Sequence, residues 1–280
     1  MSRIAIGVVG HVEWVDFAVV PRLPHPGEIL HAREHFAAPG GGGAVAAVQA
    51  RRLAGECLFL TAVGDDDLGA RARAELQGTY GVETYAATRE TRQRRAFTYL
   101  DDSHERTITV LGERIVPHGG DPLPWERLAD CDAIYFTGGD PAALEAARAA
   151  KVLVATPRAI DTLVAANVEL DVLVASANDP GERVAEGQLD PPPRHVVLTE
   201  GAEGGRWTAA ADGAGAATEG RWAAATPPGP PVDAYGCGDT FAVALTHALG
   251  SGESLDSALK RAAAAAATCL TGRGPYGAPL

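Results

Sequence analysis

The stretch Asp233-Ala234-Tyr235-Gly236-Cys237-Gly238-Asp239-Thr240-Phe241 sets two glycines and two carboxylates at the threshold of a run of good helix formers. The first amides of a helix lack intrahelical acceptors and lie at the positive end of its dipole, so they attract an anion. Gly236 and Gly238 would let that anion touch the backbone. A carboxylate at Asp239 would repel a phosphate there unless it had separate work, such as taking the proton of an attacking hydroxyl. Phosphoryl transfer from a nucleotide to an alcohol needs both parts. Taken alone, the G-x-G-D is more plainly a turn followed by a capping Asp, so the rest of the chain must decide.

Pro227, Pro228, Pro230 and Pro231 cannot continue a helix, and the run from Thr240 to Leu249 forms one closed by Gly250. Upstream, the short apolar segments Ala133–Phe136, Val152–Ala155, Val172–Ala175 and Val196–Thr199 alternate with Ala/Leu/Glu/Arg helices. That alternation predicts a parallel sheet covered on both faces. Such sheets present ligand loops beyond the carboxyl ends of their strands. Beyond the first strand, Ile4–Gly10, come Glu13 and Asp16, which read as substrate ligands or as acids on a solvent-facing strand edge. Gly40–Gly43 opens an Ala-rich helix and is no P-loop, since Lys-Ser/Thr is missing. After a buried strand at Cys57–Val63, the turn Gly64–Gly69 offers Asp66 as a site acid or a simple helix cap. Alternating residues from Tyr80 to Leu111 predict β structure, with a hairpin about Asp101-Asp102-Ser103.

A chain of 280 residues, 46% hydrophobic, supports one α/β domain with a substantial core. The net charge of −12 argues against a nucleic-acid partner, and the one basic patch, Arg89–Arg95, reads as a solvated segment. Four scattered cysteines indicate neither zinc nor disulfides and fit reduced, cytoplasmic thiols. Met1-Ser2-Arg3 runs straight into the strand-like Ile4–Gly10, so no secretory leader is expected, and no apolar run approaches membrane-spanning length. A dinucleotide enzyme is disfavoured because Gly7-Val8-Val9-Gly10 lacks the G-x-G-x-x-G spacing.

The 233–239 stretch resembles the D-x-x-G-x-G-D signature of the ribokinase-like (PfkB) family of carbohydrate and nucleoside kinases, and other motifs match in the family's order. Leu23-Pro24-His25-Pro26-Gly27-Glu28 is similar to the family's Leu-Pro-x-Pro-Gly-Glu turn, Gly40–Gly43 to the first glycine signature, and Thr199–Gly205 to a nucleotide loop. The resemblance implies a doubly wound, mostly parallel α/β sheet flanked by helices, with a small β lid built from about 12–36 and 84–111. It implies Asp239 as catalytic base, with Gly236, Cys237 and Gly238 as the anion hole. ATP would contact Thr199, Gly201, Gly204 and Gly274, and the substrate Glu13, Asp16, Gly41, Gly42 and the Val45 position. Asp233 would hold a monovalent cation such as K⁺. A Mg²⁺-linked acid would be Asp179, paired with Ser176, or in a shifted register Glu182, paired with Asn178. A homodimer through the lid is a further implication, and by itself Thr199–Gly205 is equally a hairpin turn.

The implied activity is transfer of the γ-phosphoryl of ATP to a hydroxyl of a sugar-like or nucleoside-like molecule. The rival is a catalytically silent relative that binds a nucleotide or metabolite. Val45 and Gly42 stand where the family places polar groups, and Trp14, Phe17, Phe97 and Tyr99 are aromatic. Together they predict an apolar wall suited to a deoxysugar or nucleoside.

Overall fold

Apolar residues facing alternately up and down the central strands force helices onto both faces of one sheet. The computed structural model describes residues 4–104, 106–210 and 218–280. Chain order begins β1 (Ile6–Val9), β2 (Glu13–Val19), β3 (Glu34–Gly40), α1 (Gly41–Ala54), β4 (Leu58–Gly64), α2 (Asp67–Gly78) and β5 (Glu83–Arg89). It continues with β6 (Arg95–Leu100), β7 (Arg106–Leu111), β8 (Ala133–Phe136), α3 (Pro141–Ala147), β9 (Val152–Ala155) and α4 (Ile160–Ala166). It ends with β10 (Val172–Ser176), β11 (His195–Thr199), β12 (Gly205–Ala209), β13 (Thr218–Trp222), α5 (Cys237–Gly250) and α6 (Leu255–Cys269).

Among the described residues the large sheet has nine strands, ordered β13-β12-β11-β10-β9-β8-β1-β4-β5. All pairs from β11 to β5 are parallel, and β12 and β13 add an antiparallel edge. Val8, Phe59, Tyr135 and Val197 pack against α1, α5 and α6, whereas Val9, Leu60, Ile134 and Leu153 pack against α3 and α4. The fold is thus doubly wound and mostly parallel. Strand order reverses at β1, which lies between β4 and β8. The crevice such a reversal opens falls beyond Val9 and Phe136.

A second sheet, ordered β3-β2-β6-β7, stands on the α1/α5 side. Its inner face carries Val15, Phe17, Ala38, Ala96 and Leu100 onto Val45 and Tyr235. Phe17 stacks on Phe36 with ring centroids 4.6 Å apart and meets Tyr235 edge-on at 4.9 Å. The hairpin β6–β7 turns where expected, but 84–89 does not join it. That segment is β5, paired in parallel with β4 in the large sheet, because Thr84 and Ala87 are buried there. No helix among the described residues is long and apolar enough to cross a membrane.

Phe17 is fully buried, so Phe17→Ala should cost roughly 3–5 kcal/mol. Phe97→Ala, on the outward face and half-exposed, should cost much less. Urea denaturation of the two variants checks the assignment of faces, and equal losses would reverse it.

Candidate active site

The helix α5 starts at Cys237 because Gly236 takes a left-handed φ of 83°, which turns the preceding strap into the helix axis. Thr240 N donates to Gly236 O at 2.9 Å, leaving the amides of Gly238 and Asp239 without intrahelical acceptors. A Cβ built on Gly238 would meet nothing within 4 Å, so the mouth of the helix is open. The turn is braced from below. Asp233, 1% exposed, accepts Tyr235 N at 2.9 Å on one carboxylate oxygen and Gly274 N at 2.6 Å on the other. The helix α1 holds the following loop through Gln49 Nε2 on Pro275 O at 2.7 Å and Arg52 on Tyr276 O at 2.8 Å. The neighbouring Cys269 thiol, which donates to Tyr235 O at 3.7 Å, together with burial keeps the Cys237 thiol protonated.

Facing this turn is the start of α1. A Cβ built on Gly42 would lie 3.0 Å from Asp239 Oδ1 and 3.6 Å from His11 Cε1, and one on Gly41 would lie 3.2 Å from Glu13 Cγ. Gly41 has φ 80°, and its amide donates to the Tyr235 hydroxyl at 3.4 Å. Asp239, Gly42, Gly41, Glu13 and His11 therefore form one pocket at the strand-order reversal. Burial, then the charge of Glu182, pushes the Asp239 carboxyl up to about 6. Burial also raises Glu13 and, with the charge of Arg114, holds His11 neutral.

Three arginines enter the same pocket from separate elements. Arg94 Nε lies 2.7 Å from Glu13 Oε1, Arg114 Nη2 lies 3.1 Å from His11 Nδ1, and Arg114 Nη1 donates to Arg158 O at 2.6 Å. Arg158 is paired with Glu182 at 2.8 Å and with Asp179. Arg94 belongs to the patch expected to be solvated, yet its side chain is only 19% exposed. Arg158 could have been sought at the carboxyl end of a parallel strand, whereas Arg114 follows a strand of the smaller sheet and carries no local signal.

Several expected residues stand elsewhere. Asp16 is on the outward face of β2, 2.9 Å from Arg95 and 3.6 Å from His35, because one step along a strand reverses the side chain. Val45, 1% exposed, packs beneath Gly236, and Trp14 and Phe17 are buried, so none of the three lines an apolar wall for a substrate. Trp14 instead lies under the Arg71 guanidinium, 4.4 Å from the ring centroid. Asp66 caps α2 by accepting Gly69 N at 2.9 Å. Asp179 caps a short turn and meets Arg158, while Glu182 is the acid whose charge reaches Asp239. Thr199 ends β11 beside Ser176, and Gly201 lies near Asn178. The turn closes as a hairpin with Glu200 N on Gly204 O at 2.8 Å. Gly274, whose amide is taken by Asp233, packs on Phe36 of the smaller sheet.

This architecture is that of the ribokinase-like kinases. The sequence profile described as pfkB family carbohydrate kinase matches residues 5–279, and the chain belongs to that family. Ribokinase from Thermotoga maritima superposes with a TM-score of 0.73 at 21% identity, covering 97% of this chain and 94% of that one. Arabidopsis thaliana ribokinase complexed with ribose and ATP gives 0.71 at 18%, with 98% and 94% covered. A nucleoside kinase from Methanocaldococcus jannaschii gives 0.71 at 16%, with 98% and 94% covered. No curated protein matches the chain.

The raised carboxyl of Asp239 carries a signed consequence for stability. A folded-state value of about 6 against an unfolded 3.8 means that the native state binds the extra proton. Stability from this group is therefore present below about pH 4 and lost as pH rises through 6. Asp239→Asn should raise Tm at pH 7.5, with the gain shrinking toward pH 4. An equal shift at both pH values would contradict the raised value.

Proposed function

We propose that the protein transfers the γ-phosphoryl group of ATP to a hydroxyl of a small sugar-like or nucleoside-like acceptor, with Asp239 as general base. The observation that carries this reading is the closure of Asp239 Oδ1 onto Gly42, at the open N-terminus of α5. An acceptor lying over Gly41 and Gly42 has its hydroxyl within reach of that carboxylate. At pH 7 a carboxyl titrating near 6 is mostly ionised and still basic enough to take the proton. Charge growing on the transferring phosphoryl oxygens meets the amides of Gly238 and Asp239 and the helix dipole. The nucleotide would run along the loops that follow β10 and β11, at Asn178 and Thr199–Gly204; use of ATP is supported by the Arabidopsis ribokinase, which is complexed with ribose and ATP.

Glu182, whose charge reaches Asp239, is held by Arg158 at 2.8 Å and by Ser176 N at 2.7 Å, and the triphosphate itself would bring the negative charge that a divalent cation offsets. Mg²⁺ arriving with the nucleotide would be held on the Glu182 side and would neutralise the phosphates. Asp233 serves as a brace between two loops, with one oxygen accepting Tyr235 N and the other Gly274 N. The smaller sheet acts as the lid, pinned to the catalytic strap where His104 O accepts Ala234 N at 3.1 Å, and it excludes water from the transfer. Its outward face, with Phe97 and Tyr99 half-exposed, is where a second copy would pair.

Asp239→Asn should lower kcat by on the order of 10²-fold or more, the usual contribution of a general base, while nucleotide affinity is retained. Coupled assay of ADP release with calorimetry of an ATP analogue checks both. Turnover near wild type would identify a different base, and no turnover by either protein with any alcohol would favour the silent, ligand-binding relative.

A further inference from the structure

On the reading just given, the arginines around His11 are more than a neutral sugar requires. Arg94 precedes β6, Arg114 follows β7, and Arg158 follows β9, yet all three converge on one imidazole. Arg114 lies on the Nδ1 side of His11 at 3.1 Å. Glu13, which holds Arg94, lies on the Nε2 side at 3.6 Å. Like charges gathered in a half-buried pocket are costly unless each meets a counter-charge. Two of the three do, since Glu13 answers Arg94, and Asp179 and Glu182 answer Arg158.

Arg114 is the exception. Its partners are a neutral imidazole and a backbone carbonyl, and no carboxylate among the described residues lies within ion-pair distance of it. Its Nε is buried with no hydrogen-bond partner. A guanidinium has five donors in a planar fork that matches a carboxylate or phosphate, so Arg114, with Nε unused and no carboxylate paired to it, keeps its charge and part of its fork unspent. Its position is also suited to an acceptor. Arg114 touches His11, His11 borders Gly42, and Gly42 borders Asp239, so an anion at Arg114 sits one short carbon skeleton from the base.

We propose that the acceptor carries an anionic group, a carboxylate or a phosphate, which Arg114 receives with Arg94 beside it while a hydroxyl at the other end of the molecule meets Asp239. The substrate class is then a sugar acid or sugar phosphate. A neutral pentose or nucleoside would leave the Arg114 fork unanswered. Arg114 touches the anion rather than the reacting atoms, so it sets affinity and specificity.

The test is binding by calorimetry in the presence of Mg²⁺ and a non-hydrolysable ATP analogue, which needs no turnover and so stands or falls separately from the role of Asp239. The probes are gluconate, 2-keto-3-deoxygluconate, ribose 5-phosphate and fructose 6-phosphate, each against its neutral parent, with adenosine alongside. The acid and phosphate arms distinguish the two sources of the anion. At least one anionic probe should bind roughly ten- to hundredfold more tightly than its parent, the range set by a charge-assisted hydrogen bond. Arg114→Gln should abolish that preference, and Arg114→Lys, which keeps the charge and loses the fork, should retain part of it. Analogue affinity should be unchanged in both, which also shows that they are folded. Neutral compounds binding as tightly as every anionic one would overturn the proposal. So would an undiminished preference in Arg114→Gln, or a loss confined to the ATP analogue, which would make Arg114 a nucleotide residue.

Discussion

Two helix N-termini, those of α1 and α5, are brought so close that the carboxylate at the start of one stands against bare backbone at the start of the other. A side chain at Gly42 would occupy the space Asp239 uses, and a side chain at Gly236 would strike Pro275 and Val45. The approach therefore depends on glycine at both ends and on the apolar block of Val45, Tyr235 and Phe17 that locks the smaller sheet down beside it. Both helices point their positive ends into the same small volume. An anion there is favoured by two dipoles at once, and Asp239 is the carboxylate that stands against Gly42 at their meeting point.

That same crowding sets the electrostatics. Burial and Glu182 raise Asp239, and burial with the adjoining arginines keeps His11 neutral. Burial and the neighbouring Arg94 pull the Arg114 guanidinium down to about 10, where it is still charged at neutral pH. Acids and bases are interleaved around the pocket, with Glu13 against Arg94 and Glu182 against Arg158, so that removing one member of either pair leaves the other unanswered. Perturbed carboxylates in a crevice at a strand-order reversal are the pattern expected of a site that moves a proton.

Much of this was legible in the sequence because it depends on local chemistry. The glycine turn ahead of α5, the Gly40–Gly43 opening of α1 and the βα alternation each follow from short-range rules, and the structure has all three. Face and register were harder. Asp16 and Glu13 are equally acidic, and only the pairing of β2 with β3 and β6 shows that Glu13 points in and Asp16 out. Val45 looked like a pocket wall from its place in a motif, but its burial is decided by Val15 and Tyr235, distant in sequence. Arg114 and Arg158 are brought to His11 by the topology of both sheets, which no window of sequence contains. The segment 84–89 has the alternation of a hairpin strand, and its sheet is chosen by β4.

The central claim is that a carboxyl held near 6 between burial and Glu182 takes the acceptor's proton. Single-turnover phosphoryl transfer followed from pH 5 to 8, with an acceptor that does not itself titrate in that range, tests it most directly. The rate should be level above about pH 7 and fall about tenfold per unit below a break near 6, as the base becomes protonated. A profile that is flat down to pH 5, or one that breaks near the ordinary aspartate value, would contradict the account.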